Sequence, residues 1–161
     1  MVPIQRLLLT GLVLVSTGWL TGCSGGDTQQ NSQLPTSTSL TLQTVTRNLT
    51  FPVFMTAAPK DGTRLFIVEK GGLIRIFDRN KSSLNQTAFL NLSGLVSTVG
   101  ERGLLGMAFD ADYSTNLRLY VFYTNTTGDI VIARYLRNAT DENLADSSSA
   151  TILLKIGRAH V

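Results

Sequence analysis

A chain of 161 residues with one cysteine and one histidine has little material for several common chemistries. A lone cysteine, Cys23, closes no internal disulfide and builds no cysteine-based metal site. The histidine, His160, stands in the closing hexapeptide Ile156-Gly157-Arg158-Ala159-His160-Val161. A common sequencing adapter encodes these six residues when read in this frame. Residues 156–161 are therefore expected to be a non-native tail on a truncated reading frame, and His160 takes no catalytic role. Long apolar runs are missing too. The mostly apolar, uncharged stretch 7–20 is about 14 residues, short of the roughly 20 that a membrane-crossing helix needs.

That stretch has the length of a secretory signal, with Arg6 ahead of it. It closes on Leu20-Thr21-Gly22-Cys23, which resembles the lipobox of bacterial lipoproteins, with small Gly22 just before the cysteine to be lipidated. Residues 1–22 are expected to be a cleaved signal peptide, and Cys23 the lipidation site holding the protein at a membrane. Ser24 in place of an aspartate favours the outer membrane, facing the periplasm or cell surface. Residues 23–40 are polar and almost free of apolar side chains, which fits a flexible tether spanning on the order of 20–25 Å. Charge adds no partner. Lys and Arg total 14 against 11 acidic residues; without Arg6 and Arg158, 12 face 11, which excludes a nucleic-acid footprint.

From about residue 41 to 155 the hydrophobic period is two, and no helical stripe is sustained. The runs 65–69 and 73–77, joined by Lys70-Gly71-Gly72, predict a hairpin, as do 119–124 and 130–135 across 125–129. Weaker strand candidates are 42–45, 88–92, 104–109 and 152–154. Short strands joined by turns indicate an all-β antiparallel meander. Several strands are apolar on both faces, as between stacked propeller blades or in a sandwich; periodicity does not separate the two. The count amounts to roughly two four-stranded blades.

One segment stands apart: Gly100-Glu101-Arg102-Gly103-Leu104-Leu105-Gly106-Met107-Ala108-Phe109. Its glycines do not follow the dinucleotide fingerprint, and no helix follows, so the pattern does not support a phosphate cradle. Glycines at this spacing fit a tight turn, with close backbone approach, into a buried strand.

The segment resembles the hallmark of the glucose/sorbosone dehydrogenase family, the soluble PQQ-dependent sugar dehydrogenases and their relatives. Phe51-Pro52, the text from Asp61 to Arg75, Asp112-Tyr113, Asn116 and the two later strands follow in the family's order. The resemblance implies a six-bladed β-propeller of antiparallel four-stranded blades, with about two blades present here. It also implies PQQ and Ca²⁺ as cofactors, a sugar or polyol as substrate, and a quinone or other electron acceptor. Glu101 falls where the family places an acidic or amide residue beside the cofactor; capping its own turn is the alternative. The family's catalytic histidine lies soon after the strand matching residues 151–155, so no residue of this chain is expected to be catalytic. Where the family has His-Pro after Ala-Phe, this chain has Asp110-Ala111. Two functions follow as expectations: a membrane-anchored quinoprotein oxidising sugars or related alcohols, or a non-catalytic propeller lipoprotein binding a glycan or protein partner.

Overall fold

In the computed structural model, which describes residues 40–157, the period-two runs pair into two antiparallel sheets. All the secondary structure of the described residues lies in the unit Leu42–Val161. The signal peptide, Cys23 and nearly all of the tether lie outside the described residues, as does His160. The first sheet contains β1 (Pro52–Thr56), β2 (Arg64–Glu69), β3 (Leu73–Asp78) and β4 (Ser83–Leu84) in that order, with β5 (Leu90–Asn91) also pairing to β3. The second runs β6 (Leu104–Phe109), β7 (Arg118–Thr124), β8 (Ile130–Arg137) and β9 (Ala145–Ile156). A single helical turn, α1 (Tyr113–Asn116), joins β6 to β7.

Register decides which side chains meet. Phe66 faces Ile76 and Val68 faces Ile74 across β2 and β3. Met107 faces Val121, which in turn faces Ala133, across β6, β7 and β8. These sets alternate along their strands with the opposite face and join in one buried core. Aromatic rings fill its centre. Phe66 meets Phe89 and Phe109 edge-on, at centroid distances of 4.9 and 4.8 Å, and Phe109 lies 4.5 Å from Tyr113. Each such pair adds about 0.5–1.5 kcal/mol beyond the area it buries.

The sheets therefore pack face to face, β6 lying against β1 and β2, and β5 against β9. Backbone bonds tie them as well: the Leu104 amide donates to the Lys70 carbonyl (3.0 Å), and the Ala145 amide to that of Phe89 (2.7 Å). Their outer faces stay apolar. Met55, Leu65, Ile67 and Phe77 line an open cleft of about 480 Å³ on the first sheet. Phe122, Ile132 and Leu154 align across the second. An all-β, two-sheet stack with apolar outer faces is what successive propeller blades require, each face waiting for the next sheet.

Several boundaries differ from expectation. Residues 42–45 are irregular: Leu42 is fully exposed, and Thr44 and Val45 line the cleft on the first sheet without joining its ladder. The first strand is instead β1, whose proline is tolerated because β1 is an edge with a pairing neighbour on one side only. β9 extends far beyond 152–154, through the serine-rich stretch at its start. There Ser149 Oγ accepts the Leu136 amide (2.8 Å) where the ladder register shifts. Ile156, expected to belong to the tail, pairs with Ile130 at the end of β9.

Candidate functional site

The glycine-rich turn that precedes β6 is held by the hairpin turn between β2 and β3. Lys70 makes three contacts with it. Its carbonyl accepts the Leu104 amide, its ammonium donates to the Gly100 carbonyl (2.5 Å), and its stem and backbone press on Gly103. A Cβ built on Gly103 would lie 2.6 Å from Lys70 Cγ and 2.7 Å from its carbonyl oxygen, and Gly103 has φ +155. The Gly103 carbonyl accepts the Thr124 amide at 2.9 Å, which ties the same residue to the end of β7. Glycine is therefore required at 103 by close approach between sheets, and at Gly100 by its left-handed φ of 58.

Glu101 sits on this turn, exposed, and its carboxylate accepts no hydrogen bond among the described residues. The turn closes without it, through the Arg102 amide and the Val99 carbonyl (3.2 Å). Capping is thus not what this side chain does, and its carboxylate is left available to solvent or ligand.

Two more features stand at the same end. Phe51, ahead of β1, is 76% exposed and has φ 46. Its strained backbone is fixed from both sides, by the Lys70 amide on its carbonyl (2.9 Å) and by the Thr50 amide on the buried Glu69 carboxylate (2.8 Å). Between β7 and β8, Asp129 accepts from Lys155 (2.9 Å), Thr127 and Asn125; with the Lys155 bond foremost, these hold its pKa down at about 2.

The opposite end is built differently. A cleft of about 440 Å³ there is lined by Asp61, Arg64, Tyr113, Arg137 and Glu142. Arg64 closes most of it by pairing with Asp61 (2.6 Å) and by donating to the Glu142 carbonyl (2.9 Å). Burial works against ionising Asp61, but the Thr63 amide and Arg64 outweigh it and lower the pKa. Asp110, where the family has histidine, accepts from the Asp112 amide (3.0 Å) and the Tyr120 hydroxyl (2.8 Å). This loop departs from the family pattern with a complete set of structural bonds of its own.

Of the residues singled out by sequence, Gly100, Glu101 and Gly103 are brought together with the β2–β3 turn. Sequence places Lys70 in a hairpin connection and Phe51 in the family's text, without a site role for either. Their role depends on contacts across roughly 20 to 35 residues of chain, which no local pattern encodes.

The sequence pattern of the family described as Glucose / Sorbosone dehydrogenase matches residues 49–156, which contains every described strand. The chain belongs to the glucose/sorbosone dehydrogenase family. Among solved structures it is similar to the PQQ-bound form of an aldose sugar dehydrogenase from Streptomyces coelicolor, at 25% identity and a TM-score of 0.58, over 71% of this chain and 33% of that one. A glucose dehydrogenase-like oxidoreductase from Thermus thermophilus shares the fold at 22% identity and a TM-score of 0.58, over 73% and 33%. The mouse Hedgehog-interacting protein is 28% identical over 134 residues, 75% of this chain and 19% of that protein. The chain thus spans about a third of the solved structures and a fifth of the curated relative it matches.

The two sheets are blades of this family's β-propeller. The family's cofactors can be tested against the residues present. At the motif end Lys70 and Arg102 bring two cations, and Glu101 a free carboxylate, to one turn, so an anionic quinone would be met by the two cations with Glu101 beside them. Calcium does not fit in the same way. Among the described residues no three His, Cys, Asp or Glu side chains gather to hold a metal ion.

Proposed function

We propose that this chain forms two blades, and part of the active mouth, of a lipid-anchored quinoprotein of the cell envelope that oxidises aldoses or related polyols. The observation that carries the reading is the 100–103 turn. Lys70 and Gly103 clamp it rigidly, yet its carboxylate at Glu101 is left without a partner among the described residues. A rigid loop offering one unpaired polar group is the arrangement expected of a binding mouth. PQQ, when bound, would supply a quinone able to take up hydride from a sugar carbon. Glu101 would accept hydrogen bonds from a sugar hydroxyl or orient a cationic group beside the cofactor. Lys70 would fix the turn and add positive charge facing an anionic ligand. Cys23 would carry the lipid that keeps this machinery at the membrane.

The test is reconstitution. Protein purified from membranes of its native host, supplied with PQQ and Ca²⁺, should reduce an artificial dye when offered aldoses. Absence of both PQQ binding and sugar oxidation across a broad panel overturns the enzyme reading. The anchor has its own test: Cys23→Ala should abolish labelling by a radioactive fatty acid, and unchanged labelling would refute it.

A second reading has one observation in its favour. The similarity to a protein named for an interaction, the Hedgehog-interacting protein, supports a propeller that binds a partner. On that reading the same mouth holds a glycan or protein segment, and PQQ makes no difference to the protein.

A further inference from the structure

Beside the 100–103 turn lies a cleft of about 300 Å³ lined by Thr50, Phe51, Lys70, Gly71 and Thr98. Phe51 is its unusual member. A bulky side chain with left-handed φ is a genuine outlier, and such strain persists only where surrounding bonds enforce it. Here two hydrogen bonds do so, and the result is a phenyl ring 76% exposed to solvent. Core packing does not explain the cost. Nor does the neighbouring apolar face of the first sheet, whose cleft is lined by Pro52, Phe54 and Met55 but not by Phe51.

The remaining lining is polar. Lys70 spends one ammonium donor on the Gly100 carbonyl and has two to spare. The Thr50 and Thr98 hydroxyls make no side-chain hydrogen bond among the described residues. An exposed aromatic face ringed by unspent donors suits a ligand with one C–H face and equatorial hydroxyls. We infer that Phe51 is a stacking platform for a pyranose ring, with Lys70, Thr50 and Thr98 binding its hydroxyls, as a sugar subsite next to Glu101. This rests on the reading of the motif end as sugar-facing, which the oxidising and glycan-binding proposals share. Glucose as a free ring and the terminal ring of an oligosaccharide offer the same chemistry.

Saturation-transfer NMR on the full chain with D-glucose, maltose and cellobiose tests it. The expected result is transfer from aromatic protons to ring C–H protons. Phe51→Ala should weaken binding about fivefold to tenfold, and Phe51→Trp should keep or improve it. Phe51→Gly suits the left-handed backbone, so it should raise Tm while losing the sugar signal, which separates lost binding from lost folding. Stronger transfer to the disaccharides identifies an oligosaccharide end, and equal transfer a free aldose; either supports the subsite. No transfer to any of the three sugars, or unchanged binding by Phe51→Ala, overturns it. A PQQ titration on the same samples keeps the two claims apart. Sugar transfer without PQQ binding upholds the subsite, and the quinoprotein reading is decided separately by reconstitution of the native protein.

Discussion

The two ends of the sheets spend their polar groups in opposite ways. At the end away from the motif, Arg64, Asp61 and Glu142 satisfy one another and knit a loop of the first sheet to one of the second. At the motif end, strain and close approach hold the backbone, through Phe51, Gly103 and Lys70, while Glu101 and the Phe51 ring are left facing outward. One end has charge turned inward on itself; the other keeps its backbone rigid and, although Asp129 is paired with Lys155, leaves Glu101 and the Phe51 ring free. Rigid support with unsatisfied presentation is the usual division of labour between scaffold and site.

Substitutions should separate the ends. The largest effect is expected at Gly103→Ala. Its Cβ would collide with the Lys70 backbone, which cannot move without shifting the hairpin, so the loss should reach about 3 kcal/mol or more. Urea denaturation reads this directly. A loss under about 1 kcal/mol would mean that the clamp is loose.

Arg64→Met comes next, at about 1–3 kcal/mol, because it strands the half-buried Asp61 and frees the Glu142 carbonyl. Thermal unfolding should show the loss, while binding at the motif end should not change. A change in ligand binding there would break the proposed division.

Acid sharpens the contrast further. Asp129 titrates near 2 in the folded protein and near 3.8 unfolded, so its contribution is present above about pH 4 and is lost as pH falls towards 2. Lys155→Met should flatten that part of the stability profile. A profile unchanged by the substitution would show that the Lys155 bond does not set it.

The smallest effect is at Tyr113, whose buried hydroxyl has no partner among the described residues and whose pKa burial pushes up to about 12. Tyr113→Phe should be neutral, or stabilising by up to about 1 kcal/mol. A clear loss of stability would reveal a hydrogen bond to that hydroxyl.

Much of this was legible in the sequence because strand alternation and hairpin turns are local. The 104–109 strand and both long hairpins fall where period two places them. The motif could be read as a tight turn, and its glycines as sites of close approach, but the partner of that approach could not. Lys70 lies 33 residues before Gly103, and only the stacked sheets bring them together. β1 escaped notice because a strand that opens on proline reads as a turn. The 42–45 run misled for the converse reason: it holds β-prone residues but joins no ladder among the described strands.

The most direct test compares one carboxylate from each end in the PQQ-reconstituted protein from its native host. Glu101→Gln should weaken PQQ binding or slow sugar oxidation by about tenfold, consistent with loss of one charge-assisted contact. Glu142→Gln, on the opposite rim, should leave both unchanged. Equal effects of the two substitutions, or none at Glu101, would contradict the assignment of the motif end as the site.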